Sequence, residues 1–309
     1  MEILRNPNYD FLAKTRLWIT ISLLMVVVGW AWVWRHGGFK YGVEFSGGTQ
    51  VIARFQARPS PDRVRSAVDQ VSHEAVIQTY DDPSKNQILI RIPGGIEGEL
   101  SQQAQAVLKA LGGAYAENPV VESSTEIVGP IVGAELRQKA IWLTVLGLLF
   151  QLIYIAVRFR GVVWGSAATL AVFHDVLVTL GLLAMFGFDI TLNVIAALLT
   201  LVGYSVNDTI VIFDRVRENL RQRRKEPLAK VINDSINQTL SRTLISSGTT
   251  FLTVLGLFLF GGEVLRSFAF TMVVGIVVGT YSTIYIASPL VVFWQGMLAR
   301  RNGPSAKAA

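Results

Sequence analysis

The run Leu17-Trp18-Ile19-Thr20-Ile21-Ser22-Leu23-Leu24-Met25-Val26-Val27-Val28-Gly29-Trp30-Ala31-Trp32-Val33-Trp34 carries no charged side chain. As an α-helix it is about 27 Å long, close to the roughly 30 Å hydrocarbon core of a bilayer. Trp30, Trp32 and Trp34 crowd one end, as indole rings do at a membrane–water boundary. No small-x-small cleavage site follows Trp34, so the run reads as a lasting span rather than a signal peptide. Five more apolar runs follow, at 140–157, 161–188, 190–213, 243–262 and 267–299. His174 and Asp175 break the third span, and Asp208 breaks the fourth. The sixth is long, and its length predicts a tilt or an interfacial turn near Pro289.

Basic residues set the expected orientation. Arg5, Lys14 and Arg16 precede the first span, and Arg158 and Arg160 lie between the second and third. Arg215, Arg217, Arg221, Arg223, Arg224, Lys225 and Lys230 lie between the fourth and fifth, and Arg300, Arg301 and Lys307 follow the sixth. The opposite loops are almost bare of Lys and Arg. The positive-inside rule then places both termini in the cytoplasm and residues 38–138 outside. The expected units are 1–37 (N-terminus and first span), 38–138 (external domain), 139–297 (spans two to six) and 298–309 (cytoplasmic tail).

Composition excludes several chemistries. Hydrophobic residues make up 51% and charged residues 16%, against roughly 25% charged in a soluble domain. The net charge of +6 comes mostly from residues flanking apolar runs, so it speaks for topology and lipid contact rather than nucleic acid. There are no cysteines, which removes disulfides, thiolate metal sites and Cys nucleophiles. His36, His73 and His174 are too scattered for a metal cage, and no phosphate-binding Gly-rich loop is present. The expectation is no cofactor, no metal and no enzymatic activity.

The external segment predicts a strand over 42–55 with Gly47-Gly48 as a bulge or turn, and a helix over 61–72 with Ser60 as N-cap. Strands follow over 74–80 and 87–92, where Ile88, Ile90 and Ile92 share a face, and Pro93-Gly94-Gly95 turns the chain. A second helix over 99–111, ended by Gly112-Gly113, precedes a strand region over 116–128. This β-α-β-β-α-β order predicts a ferredoxin-like arrangement. His73-Glu74 reads as solvated surface. The predicted fold class is an α-helical membrane protein of six transmembrane helices with an inserted α+β ferredoxin-like domain.

Asp208 is the most informative single residue. A charged Asp in mid-bilayer costs about 2.5–3.5 kcal/mol on insertion scales, and such a residue is by default functional. It lies six residues before Asp214, so about 9 Å deep by helix rise. Arg242, at the expected start of span five, either reaches Asp208 or snorkels to headgroups; spacing leaves both open. Ser205, Asn207, Gln238, Ser241 and Ser246 would line the site. His174-Asp175 either extends a proton path or bonds a neighbouring helix. Gly203, Gly248 and Gly256 are expected at close helix contacts. Val231, Ile232, Ile236 and Leu240 predict a short amphipathic helix on the membrane surface within a loop over 214–242.

Several stretches together resemble the SecD/SecF family of the resistance–nodulation–division superfamily, and within it the smaller of the paired subunits. Gly42-Val43-Glu44-Phe45-Ser46-Gly47-Gly48-Thr49 is similar to the family's G-[IV]-D-F-x-G-G-T, with Glu44 where Asp is more usual. Val128-Gly129-Pro130, with Gly133 and Glu135, resembles its lead into span two. Gly203 to Val211, followed by Asp214-Arg215-Val216-Arg217-Glu218-Asn219, resembles its span-four signature. Asn237-Gln238-Thr239-Leu240-Ser241-Arg242-Thr243 resembles the start of its span five. The resemblance implies pairing with SecD in a twelve-span unit, association with the SecYEG channel and YajC, and use of the proton-motive force to draw preproteins outward. It implies a bacterial cytoplasmic-membrane location and a proton relay at Asp208 tuned by Arg242. A different class, an exporter of lipids or small molecules within the same superfamily, is the alternative, and a passive scaffold is a third.

Overall fold

A computed structural model describes residues 7–80, 83–94, 99–159 and 161–301. Arg5, Gly95, Arg160, Lys307 and most of the expected tail lie outside the described residues. Among the described residues six helices are long and apolar enough to cross a membrane. They are α1 (Thr15–Arg35), α5 (Pro130–Phe159), α6 (Val162–Met185), α7 (Leu192–Gln222), α8 (Leu228–Phe260) and a last helix in two parts, α9 (Glu263–Ser282) and α10 (Ser288–Arg301). A small domain built from α2 (Val43–Ser46), β1 (Gly48–Phe55), α3 (Pro61–Val68), β2 (Val76–Tyr80), β3 (Gln87–Pro93), α4 (Leu100–Ala114) and β4 (Val120–Val128) is inserted after α1.

The sheet order is β2-β3-β1-β4, antiparallel throughout, which is the split β-α-β-β-α-β topology the pattern predicts. Val51 pairs with Ile90 and Ala53 with Ile88, so the alternating residues of two strands bury one face together. Val64, Ala67 and Val68 of α3 and Ala104, Val107 and Leu111 of α4 close over that face. Several details differ from expectation. Residues 43–46 form a helical turn, not a strand, because Gly47 and Gly48 take left-handed φ values of 71° and 129° and break the run there. Ser60 makes no side-chain cap; Pro61 starts the helix instead. Gly112 and Gly113 sit inside α4, since nothing crowds them and packing of Leu111 and Tyr115 carries the helix on.

The bundle also departs from the loop boundaries. α7 continues to Gln222 and α8 begins at Leu228, so the expected loop over 214–242 is mostly a helical hairpin. Val231, Ile232 and Ile236 are fully buried there against the α7 extension, not laid on a membrane surface. Asn219 bonds Ser235 and Gln238 across the hairpin, and Arg223 pairs with Asp234 at 2.8 Å. A methyl group added to Gly203, Gly248 or Gly256 would meet no atom within 4 Å, so these are not close-packing sites. The close approach is Gly29 of α1 against Gly181 of α6, where a Cβ on Gly29 would lie 2.9 Å from the facing Cα. The last span does not end in a turn near Pro289. A π-helical turn, Thr283–Ala287, links α9 to α10. The proline has no N–H for residue 285 and its ring clashes with that carbonyl in a regular helix; the wider turn relieves this. Ser288 Oγ donates to the Thr283 carbonyl at 2.9 Å.

Candidate proton site and its surroundings

Asp208 is 3% exposed on the face of α7 turned to α8. Its Oδ2 accepts a hydrogen bond from Ser247 Oγ at 2.8 Å. Arg242 is exposed on α8, about 7.5 Å along the helix from Ser247 by rise. Among the described residues no ion pair joins the two, and the Asp208 carboxyl is bonded to Ser247 instead. Direct contact, one of the two arrangements the spacing left open, is therefore absent in this conformation.

The expected lining is redistributed. Ser205 turns away from Asp208 and donates to Asp175. Asn207 is exposed and, with Gly203, lines a groove of about 520 Å³ between α5 and α7. Gln238 bonds Asn219 in the hairpin, and Ser246 bonds back to the Arg242 carbonyl at 3.0 Å. Ser241 and Gln238 instead line a polar cavity of about 700 Å³, with Arg215, Arg223 and Asp234, at the end of the bundle away from the small domain. The residue missed was Ser247. A legible signal exists for it: Ser235, Thr239, Thr243 and Ser247 recur every fourth position of α8, and all are buried. Ser246 lies one place off that stripe.

Asp175 is fully buried at the centre of the bundle. His174 Nδ1 lies 3.0 Å from its Oδ1, while Ser205 Oγ at 2.6 Å and Ser282 Oγ at 2.9 Å donate to its Oδ2. His174 Nε2 meets the Tyr281 hydroxyl at 3.3 Å, and that hydroxyl meets Ser22 Oγ of α1 at 2.9 Å. Thr209, beside Asp208, shares a 3.0 Å hydroxyl contact with Thr283 in the π turn. Asp175 thus holds together α6, α7 and α9, and His174 extends the network to α1. Ser282, Tyr281 and Ser22 were invisible as partners because they lie on spans far from Asp175 in sequence.

Glu44, Gly47 and Gly48 lie where the small domain meets the bundle. A Cβ on Gly48 would fall 2.3 Å from the Ile92 carbonyl, and one on Gly47 would fall 2.8 Å from Pro130 Cα. A Cβ on Gly133 would in turn lie 3.0 Å from the Gly47 nitrogen. The two glycine-bearing motifs therefore fit against each other. Gly42 N–H donates to the Ile190 carbonyl at 2.9 Å, and Ile190 N–H to the Lys40 carbonyl at 2.7 Å. Arg91 of β3 pairs with Asp189 of the α6–α7 turn at 2.8 Å, both largely buried. Among the described residues no cluster of His, Asp and Glu could hold a metal ion.

Comparison with known proteins agrees with this architecture. Residues 108–297 match the family described as protein export membrane protein SecD/SecF, C-terminal. The protein translocase subunit SecF of Endomicrobium trichonymphae is 37% identical over 299 residues, covering 96% of this chain and 94% of that one. The SecF of Gemmatimonas aurantiaca is 40% identical over 310 residues, covering 97% and 91%. The crystal structure of SecDF, a translocon-associated membrane protein from Thermus thermophilus, superposes with a TM-score of 0.82 at 38% identity. It matches 94% of this chain, which spans 39% of that longer one. By sequence over nearly its whole length, and by fold, the chain belongs to the SecD/SecF family of protein export membrane proteins.

Proposed function

We propose that this chain is the six-span half of a proton-driven unit that promotes preprotein export across the bacterial cytoplasmic membrane. SecD supplies the other half; the fusion of both names in the Thermus relative supports that pairing. The unit works beside the SecYEG channel, with YajC and membrane lipids as further neighbours. Both termini face the cytoplasm, and the small domain faces outward and handles the emerging chain. No cofactor takes part, and the chain's chemistry is proton binding rather than covalent catalysis.

The observation that carries this reading is Asp208, a carboxyl buried in an apolar span with a hydroxyl partner from the next helix. Burial without a contacting cation favours a group that exchanges its proton over a fixed ion pair. Arg242 supplies a field that conformational change can bring nearer, and the polar cavity at the α7–α8 hairpin brings water toward that end of the site. The test is export into inverted vesicles with the partner subunits, measured against membrane potential for Asp208→Asn and Arg242→Met. The proton-dependent part of the rate is lost in both. Full-rate, potential-dependent export by a normally inserted Asp208→Asn variant overturns the reading.

A further inference from the structure

The Asp208 cycle makes no use of a second buried carboxyl, that of Asp175, although it is the more deeply enclosed of the two. An isolated carboxylate in such a place is costly unless fully bonded. Asp175 has a full set of partners in either protonation state. When it is ionised, His174 Nδ1–H and the hydroxyls of Ser205 and Ser282 all donate to it. When it is protonated, Oδ1–H donates back to a bare Nδ1, and both serines keep their bonds to Oδ2. The 3.0 Å contact to His174 serves both states, with only the direction of donation reversed.

The imidazole also has a second polar neighbour. Its Nε2 faces the hydroxyl of the half-buried Tyr281 at 3.3 Å, and Tyr281 faces Ser22 at 2.9 Å. Either oxygen of the Tyr281–Ser22 pair can be the donor, so this chain too can reverse. Ser282, which bonds Asp175, immediately precedes the π turn, and such turns inside helices frequently mark functional positions. The titratable groups nearest Asp175 are His174, from its own helix, and Tyr281 of α9, which reaches it through the His174 ring. From α7 the neutral hydroxyl of Ser205 bonds it, while Asp208 on the same helix turns its carboxyl to α8.

We propose that Asp175 and His174 form a second proton-binding site of the bundle, loaded through Tyr281. An arriving proton bonds to Nε2 while the Nδ1 proton moves to Oδ1. The imidazole ends neutral in its other tautomer, and the carboxylate ends as a carboxylic acid. One proton is taken up, and no bonds other than N–H and O–H change. The site rests on the proton-driven reading for its use, but its occupancy is measured without export.

The experiment is infrared difference spectroscopy across pH on the full chain with its partner subunit in lipid, with labelled aspartate to mark Asp carbonyl bands. The Asp208→Asn spectrum contains a titrating carboxylic-acid band that is missing from Asp208→Asn/Asp175→Asn, so the difference between the two isolates Asp175 from the other aspartates. His174→Gln, which keeps the carboxyl but cannot exchange tautomers, moves the band's midpoint by about one pH unit or more, a ten-fold change in proton affinity. Tyr281→Phe keeps the site and slows its protonation after a pH jump by at least about ten-fold, less than the whole contribution of a positioned proton-transfer group. Identical titrating spectra for Asp208→Asn and Asp208→Asn/Asp175→Asn overturn the proposal, as do spectra unmoved in midpoint and rate by His174→Gln and Tyr281→Phe. Those two variants decide the matter if Asp175→Asn fails to fold. Failure of the Asp208 reading shows in export instead, and leaves this band in place.

Discussion

The seam between α1 and α6 gives the sharpest test of how the bundle is packed. An alanine at Gly181 would place its Cβ 3.0 Å from Gly29 Cα and 3.4 Å from Gly29 C. Carbon pairs rest at about 3.5–4.0 Å, so the two helices must part by roughly 0.5–1 Å where they cross. That movement acts on the bonds the seam holds in place, the 3.2 Å contact from Trp30 Nε1 to the Leu177 carbonyl and the 2.9 Å contact between Ser22 and Tyr281. Overpacking of this kind costs about 1–3 kcal/mol, and alanine regains up to about 1 kcal/mol of helix propensity over glycine. Gly181→Ala is therefore expected to lose about 1 kcal/mol net. Gly181→Val, with more bulk and little propensity gain, loses about 3 kcal/mol.

The assay is thermal unfolding of the purified chain in lipid nanodiscs, read from tryptophan fluorescence. The midpoint falls by a few degrees for alanine and further for valine. Gly29→Ala/Gly181→Ala loses less than the sum of its parts, because one opening of the seam relieves both clashes. Gly248→Ala and Gly256→Ala are the internal controls: nothing lies within 4 Å of either Cβ, so both are neutral or slightly stabilising. A Gly181→Val variant that unfolds at the parent temperature, or a Gly256→Ala variant that falls as far as Gly181→Ala, refutes the packing argument.

At the junction of domain and bundle, Arg91→Gln leaves the largely buried Asp189 without its cation. The expected loss is about 2 kcal/mol, below the roughly 3–5 of a fully buried pair, and amide exchange at Gly42 and Ile190 accelerates with it. In the small domain, partial desolvation and then the Glu44 charge hold the exposed Glu126 carboxyl above its ordinary 4.5, with Arg91 pulling the other way. The folded domain thus binds this proton more tightly than the unfolded chain. Its contribution to stability is present below about pH 4.5 and is lost as pH rises through the higher folded value. Glu126→Gln flattens that slope in thermal unfolding across acid to neutral pH; parallel slopes for parent and variant count against it. At the other end of the bundle, Asn233 and Asn237 bond the backbone of Tyr9 and Phe11 through four contacts of 2.9 Å. The Asn233→Ala/Asn237→Ala variant releases this segment, and trypsin cuts at Lys14 faster than in the parent.

What can be read from the chain depends on how local the signal is. The six spans are runs of apolar residues, and the small domain's strands and helices are periodic, so both are carried by neighbours in sequence. Asp208 announces itself by contrast with its surroundings. Its partner is displaced from expectation by a single residue, Ser247 for Ser246, because one helical position rotates a side chain by about 100° and no local feature sets the rotation. The close glycines differ for a related reason. Gly203, Gly248 and Gly256 look like Gly29 and Gly181 in sequence, yet of these only the latter pair meets another backbone, and that depends on which helices are neighbours. The long loop expected over 214–242 fails differently. Charge density suggests solvent exposure, whereas Arg223–Asp234 and the Asn219 bonds use polar groups to zip two helices together beyond the apolar spans.

The position of α6 ties these features into one mechanical argument. It packs against α1, α5, α7 and α9, so it cannot shift without disturbing the centre of the bundle. It carries Asp175 near its middle, about 15 Å by helix rise from its end at Met185, and a short turn then leads to Asp189 and Ile190. Those two residues grip the small domain by an ion pair with Arg91 and by backbone bonds to Lys40 and Gly42. A helix is stiff over such a distance, and the turn that carries the grip is tied to its end by the Phe188 N–H bond to the Leu183 carbonyl at 3.0 Å. The grip is short-range and polar on both sides, the kind of contact that holds one of two arrangements rather than stretching. The tightly packed Gly47-Gly48 turn lies on the other side of the same junction, where the chain enters β1. The Asp175 network at the centre of the bundle and the grip on the small domain are therefore joined through α6 and the turn that caps it.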